Sequence, residues 1–343
     1  MATYYEQSGG TEVLCYGEVP DPVPGPGDVV VQVAATALNR LDVLQRNGWF
    51  QMPGFSYPHI AGMDLAGIVV EVGSAVSNVS PGDRVVVDPS LAGVARNSSF
   101  FGRGGAAGEP AVIGGTVDGG YAEMCLVPSS HVHPVPDDMS LAHAATFPTS
   151  YVTAAHAMFR VGDLRGGEVV MVHAAGSGMG VASIQLAVRS GATVLATAGT
   201  DEKCQRALAL GASHVLNNRT GDVAAWAWEV TSGSGVDMVM DFVGAALFGP
   251  SLLSLAPGGR LVNCGNASGD EATIPSLGQM FHSGISILGS DAYRSEEFGE
   301  VWQEFCSGSF RVEIDSVHHL SDAGVAQERM LSGDFFGKIL LTP

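Results

Sequence analysis

The sequence predicts an α/β protein in which an all-β, barrel-like unit precedes a doubly wound parallel sheet, and three observations predict it. After Glu168, short apolar runs alternate with helical stretches, the pattern of a parallel sheet covered on both faces. The first 130 residues carry instead short strands bounded by Gly, Pro and Asp turns. At 343 residues the chain is long for one domain and suits two.

Taken in order, Pro20, Pro22, Pro24 and Pro26 precede a strand over Asp28 to Thr36, and further strands are expected over Asp64 to Gly73, Asp83 to Asp88 and Gly120 to Val127. Asp42 and Arg46 stand at i, i+4 on a helical stretch, where an ion pair is the expectation. The Ala-rich stretch from Ser140 to Met158 reads as a helix interrupted at Pro148. Strands are then expected over Val169 to Val172, Ala192 to Thr197, His214 to Leu216, Val236 to Phe242, Gly259 to Cys264 and Ile285 to Leu288. The tail should add helices over Ser295 to Cys306 and Ser321 to Leu331 and a last strand over Lys338 to Leu341.

The most informative stretch is Glu168 to Lys203. The run Val169-Val170-Met171-Val172 is short and β-branched, as a strand buried on both faces should be. Gly176, Ser177, Gly178, Met179 and Gly180 follow at once and open a helix. Glycines there let the backbone pass close to a pyrophosphate while the helix N-terminus turns its free N–H groups toward the anion. The spacing Ala175-x-x-Gly178-x-Gly180 departs from the usual GxGxxG, since Val181 stands where a third glycine is expected. About 20 residues past such a turn a carboxylate normally bonds the ribose 2′-hydroxyl. Here Thr197, Ala198, Gly199 and Thr200 occupy that place, with Lys203 one turn further on. A 2′-phosphate would meet no repulsion, so NADPH is expected over NADH. Asp201 and Glu202 read as first-turn acids complementing the helix dipole. Only two of the sixteen basic residues are lysines, Lys203 and Lys338, which draws attention to both.

Composition narrows the rest. A net charge of −19 argues against nucleic acid and anionic membrane as partners. No apolar run of membrane-spanning length and no signal-peptide pattern is present, so a cytoplasmic protein is expected. The five cysteines have neither metal nor disulfide spacing.

Gly27-Asp28, Ala37-Leu38-Asn39, Gly62-Met63-Asp64 through Gly67, Val69 to Gly73, Pro81-Gly82-Asp83-Arg84-Val85, the glycine turn, Asp241-Phe242-Val243-Gly244 and Gly337-Lys338-Ile339 together resemble the medium-chain dehydrogenase/reductase superfamily, in its zinc-independent, quinone-reductase-like branch. The resemblance covers nearly the whole chain. It implies a GroES-like catalytic domain over residues 1–130, with 291–343 returning to it, and a Rossmann cofactor domain over 131–290. The family's catalytic zinc ligands fall on Asn39, Met63 and about Pro148, a set that does not bind zinc. Its structural zinc ligands fall on Gly93, Arg96, Ser99 and Ala107, so no metal is expected at either place, and poor order is expected near Phe100 to Gly108.

What the resemblance implies for chemistry is NADPH-dependent reduction of a quinone or an α,β-unsaturated carbonyl, with Asn39 hydrogen-bonding the substrate oxygen or ordering a water beside it and Tyr151 as a weaker candidate proton donor. A zinc-free alcohol dehydrogenase or carbonyl reductase and a non-catalytic NADPH-binding protein are the alternatives. Thr149, Thr153, Val243, Gly244, Gly265, Asn266, Leu288, Gly289 and Lys338 join the glycine-turn residues as expected cofactor contacts. His59 and His173 read as structural. A homodimer joined through the last Rossmann strand, near Gly284 to Leu288, completes the expectation.

Overall fold

The β-branched run Asp28–Ala37 forms the longest strand among the described residues, and the first unit is built outward from it. A computed structural model of the chain describes residues 1–91, 111–308 and 310–343. Its two units are Met1–Thr149 with Arg294–Pro343, and Ser150–Tyr293.

In the first unit a hairpin, β1 (Ala2–Tyr4) with β2 (Cys15–Gly17), precedes β3 (Asp28–Ala37), α1 (Arg40–Asn47), β4 (Asp64–Val72), β5 (Arg84–Val87), β6 (Met124–Pro128), β7 (Val132–Pro134) and α2 (Leu141–Ala145). The first unit runs past residue 130 because β7 pairs antiparallel with β5. α3 (Pro148–Ala155) begins with proline, whose fixed φ suits a first helical position, and carries the chain into the second unit.

That unit holds β8 (Val169–Val172), α4 (Gly178–Arg189), β9 (Thr193–Ala198), α5 (Asp201–Ala209), β10 (His214–Asn217), α6 (Val223–Val230), β11 (Val236–Asp241), α7 (Ala245–Ser254), β12 (Leu255–Asn263), α8 (Leu277–His282) and β13 (Ser286–Gly289). The chain then returns to the first unit with α9 (Ser295–Cys306), β14 (Ile314–His319), α10 (Ala323–Ser332) and β15 (Lys338–Thr342).

The returning strands complete the first sheet, ordered β14-β15-β3-β4-β5-β7 with β6 also on β3. Leu340 pairs with Ala37, and Leu38 N–H donates to Ile339 O at 2.9 Å. Inward-facing Val29, Val31, Val33, Leu65, Val69, Val85, Val87 and Val127 fill its core. α9 is held by aromatic packing: fully buried Phe147 lies 4.9 Å from Trp302 and 5.0 Å from Phe305, ring centre to ring centre. Leu91 N–H donates to Ala111 O, bringing together the ends of the segment 92–110. The vacated structural-zinc positions and the expected poorly ordered stretch near Phe100 to Gly108 lie outside the described residues.

The second sheet is parallel throughout and ordered β10-β9-β8-β11-β12-β13. This is the dinucleotide-fold order, with the reversal between β8 and β11, where such sheets bind their ligands. His173, just past β8, is fully buried between Thr197 Oγ1 and Ser251 Oγ, each 2.8 Å away. Ser251 spends its hydroxyl proton on Leu247 O, so it must accept from His173 Nε2–H, and His173 Nδ1 accepts from Thr197. The imidazole is therefore locked neutral, and burial pushes its pKa down to about 4.

Neutral His173 contributes stability that is present above pH 6.5 and is lost as the pH falls through 4. His173→Gln keeps a donor and an acceptor but cannot ionise. Urea unfolding should show the wild type losing about 3 kcal/mol more than this variant between pH 7 and acid below pH 4. Parallel pH profiles would refute the buried-imidazole account.

Candidate active site

The polar cluster of the first unit arises where three strands end side by side. The register of β15 on β3 carries Lys338 opposite Asn39, and that of β4 on β3 sets Asp64 opposite Ala37. Lys338 Nζ donates to Asn39 Oδ1 at 2.8 Å and to Asp64 Oδ2 at 2.9 Å. The other Asp64 oxygen accepts from Thr149 N at 2.9 Å and Thr149 Oγ1 at 2.5 Å. Asp64 is wholly buried and Lys338 is 6% exposed. Of the positions onto which the family's catalytic zinc ligands fall, Asn39 accepts from the lysine, and Met63 and Pro148 adjoin Asp64 and Thr149 in sequence.

Asn39 is the N-cap of α1. Asn39 N–H donates to Asp42 Oδ2 at 2.8 Å, and Asp42 N–H to the Asn39 carbonyl at 3.1 Å. Asn39 and Asp42 thus close a capping box at the start of α1. Asp42 also accepts from Tyr121 OH at 3.1 Å and Gly62 N at 3.4 Å. Burial pushes its carboxyl up to about 6, against the opposing pull of the Asn39 N–H, the Tyr121 hydroxyl and the Lys338 charge.

The hydrogen-bond partners of several singled-out residues are as follows. Asp42 and Arg46 form no ion pair: Arg46, 1% exposed, donates to Gln327 Oε1 at 2.6 Å and Gly9 O at 2.5 Å, because tertiary partners outcompete the helical neighbour. Lys338, expected against the cofactor, turns its ammonium to Asn39 and Asp64. The Thr149 hydroxyl is committed to Asp64. Tyr151 is 3% exposed and its hydroxyl accepts from Gln185 Nε2 at 3.1 Å, a packing role on α4. The Thr197 hydroxyl is held by His173, so that fully buried side chain faces the core. His59 is buried on Gly114 O at 3.0 Å. The Thr153 hydroxyl is buried without a partner among the described residues.

In the second unit, the remaining expected cofactor residues gather at the C-terminal edge of one parallel sheet. Ser177 caps α4 by accepting from Gly180 N at 3.0 Å. The N–H groups of Gly176, Gly178 and Met179 meet no partner among the described residues, a cradle suited to an anion. A Cβ on Gly180 would stand 2.4 Å from Ala174 O, so glycine is needed where the helix crosses the strand end. Thr200 caps α5 through Lys203 N at 3.3 Å, leaving Lys203 half-buried on the first turn. Asp241 Oδ1 gathers Val243 N and Gly244 N at 2.8 and 2.9 Å, shaping the turn after β11. Gly265 and Asn266 follow β12, and Leu288 and Gly289 end β13.

One basic group was missed. A Cβ on Gly199 would stand 3.1 Å from Arg219 Nε, so this guanidinium lies against the tip of β9. Its signal in the sequence is an arginine just past β10, the strand beside β9. Asp201, by contrast, accepts from Asn217 Nδ2 at 2.8 Å. Among the described residues, no group of three or more His, Cys, Asp or Glu could hold a metal ion, and no helix is long and apolar enough to cross a membrane.

Comparison with known proteins agrees with this division. Residues 25–137 match the alcohol dehydrogenase GroES-like domain and residues 178–307 the zinc-binding dehydrogenase family. The 2-haloacrylate reductase of a Burkholderia species is 31% identical, the alignment covering 100% of this chain and 99% of that protein. The crystal structure of an NAD-dependent alcohol dehydrogenase superposes with a TM-score of 0.91 at 34% identity, covering 100% and 99% of the two chains. Escherichia coli quinone oxidoreductase complexed with NADPH gives 0.81 at 27% identity, again covering 100% and 99%. The chain belongs to the medium-chain dehydrogenase/reductase superfamily and is an NAD(P)H-dependent oxidoreductase.

The Asp42 carboxyl should be visible in the pH dependence of stability. With its folded pKa raised, its contribution is intact below pH 3.8 and is lost as the pH rises through 6. Asp42→Asn should remove a loss of about 3 kcal/mol between pH 4 and 7. Denaturant titrations at both pH values test this, and an unchanged pH slope in the variant would contradict the assignment.

Proposed function

We propose that the chain is an NADPH-dependent reductase of a quinone or an α,β-unsaturated carbonyl, acting by hydride transfer without a metal. The observation that carries the reading is the Asn39 carboxamide, whose oxygen is taken by Lys338 and whose nitrogen makes one long contact, 3.5 Å to Ala37 O, and keeps a second N–H to meet a substrate oxygen. Zinc does not fit beside it. Positions 39, 63 and 148 offer an amide, a thioether and a proline ring, and the adjoining carboxylate of Asp64 is engaged on both oxygens. A dication would also stand against an ammonium.

Without a Lewis acid, reduction of an activated alkene asks less of the protein than oxidation of a simple alcohol. When bound, the nicotinamide supplies a hydride from C4. As the hydride forms a C–H bond at the β carbon, the alkene electron pair moves onto the carbonyl oxygen. Asn39 donates to that developing enolate oxygen. A proton from solvent then completes the α carbon, so the substrate gains a hydride and a proton while NADPH becomes NADP⁺. The free N–H groups of the α4 N-terminus fit the pyrophosphate. Lys203 and Arg219 fit a 2′-phosphate, which supports NADPH over NADH. The buried Thr153 hydroxyl is a further candidate contact.

We also propose a homodimer through β13, the edge strand of the parallel sheet, with exposed Leu277 and Phe281 of the preceding helix as apolar surface to cover. Light scattering should give twice the chain mass, and a monomer refutes it.

Titration with both cofactors tests the specificity. Lys203→Ala and Arg219→Ala should each raise the Kd for NADPH by roughly 10- to 100-fold and leave that for NADH within about 3-fold. Equal losses for both cofactors would overturn the 2′-phosphate assignment. A substrate panel should show quinones and enones turning over faster than saturated ketones. Comparable ketone turnover would instead favour a carbonyl reductase, the reading suggested by the alcohol dehydrogenase likeness, and no oxidation of NADPH across the panel would mean binding without turnover.

A further inference from the structure

We propose that Lys338 is a positioning residue for Asn39, fixing which end of the carboxamide meets the substrate. This rests on the reading of Asn39 as the group that meets the substrate oxygen.

A carboxamide has one accepting and one donating end, and the two are nearly isosteric. An enolate oxygen needs the donating end. An ammonium has three donors and no acceptor, so the atom of Asn39 lying 2.8 Å from Lys338 Nζ must be the oxygen. The nitrogen then points away. Its contact with Ala37 O, at 3.5 Å, is at the outer limit of a hydrogen bond and leaves the N–H groups largely free for a ligand.

Two further features make the orientation specific. At an ordinary N-cap the asparagine oxygen would accept from the helix N–H groups. Here Asn39 and Asp42 close a capping box, and the Asn39 oxygen, which has two lone pairs, also accepts from the lysine, so helix end and ammonium both call for the oxygen on that side. The lysine is fixed in its turn: Asp64 accepts from it with one oxygen and from the Thr149 N–H and hydroxyl with the other. Each link from Thr149 through Asp64 and Lys338 to Asn39 has a single permitted donor direction. Lysine suits this place as a compact point charge on a slender stem, whereas the planar fork of arginine favours a bidentate grip on Asp64.

The test is a mutant cycle on kcat in the full chain, with an enone or quinone that the wild type turns over and saturating NADPH. Removing Lys338 alone strands a buried carboxylate, so the lysine is replaced as a neutral pair, Lys338→Met with Asp64→Asn. Asn39→Ala should lower kcat on the order of 10²-fold. The neutral pair should lower it by roughly 10- to 100-fold. Adding Asn39→Ala to the neutral pair should cost less than about 3-fold more, with the NADPH Kd within about 3-fold throughout. Equal factors with and without Asn39, or a neutral pair at wild-type kcat, would overturn the positioning role. Where the neutral pair is too unstable to assay, the same cycle with Lys338→Arg, which keeps the charge beside Asp64, decides: the double variant should be no slower than Asn39→Ala, and additive losses refute the proposal. Full kcat in Asn39→Ala would defeat the reading of Asn39 itself and the positioning proposal with it; a slow Asn39→Ala with additive losses would defeat only the role of Lys338.

Discussion

The pairing of β15 with β3 is the constraint on which the candidate site depends. It is ordinary main-chain hydrogen bonding backed by the buried side chains of Ile339, Leu340 and Leu341. Yet its register alone decides that Lys338 faces Asn39. A one-residue slip would send every side chain of the strand to the opposite face. The apolar run after Lys338 therefore specifies chemistry indirectly, by leaving only one register in which its residues are buried.

The cluster that results has an unusual electrostatic character. Burying a lysine and a carboxylate costs several kcal/mol per ion unless both are paired and their remaining hydrogen-bonding capacity is met. Asp64 meets this condition fully, with three donors on its two oxygens. Lys338 is satisfied by one anion and one neutral amide. The arrangement contributes little to stability compared with an apolar replacement, and what it provides is a cation whose place is set by strands and not by ligand exchange. In a chain with two lysines, both stand at positions with a proposed functional role.

Much of the fold was legible because local pattern and tertiary structure agree. The apolar runs within β3, β4, β8 and β11 and the glycine turn into α4 are found where period and turn chemistry put them. The family pattern singled out Asn39, and the structure places it on Lys338. What escaped was set by neighbours distant in sequence. The i, i+4 spacing of Asp42 and Arg46 implied a pair, but both side chains are buried and α10 supplies Gln327 to the guanidinium. Arg219 became visible once β9 and β10 were known to run side by side. β14 escaped because Ile314–His319 lacks the apolar alternation of a strand: it is a sheet edge carrying two histidines, and none of its residues is buried.

Lys338 and Asn39 are separated by 299 residues, and the whole parallel sheet is encoded between them. On the ribosome the first unit must therefore wait, its β3 edge uncovered, while the second is made and free to fold. The loop-closure entropy of that late docking falls on the strand that carries the ammonium. Until β15 arrives, Asp64 and the Asn39 amide have water in place of the ammonium. Assembly of the polar cluster is thus tied to a late step of folding, and a chain that has not reached it holds the residues of the candidate site without their arrangement.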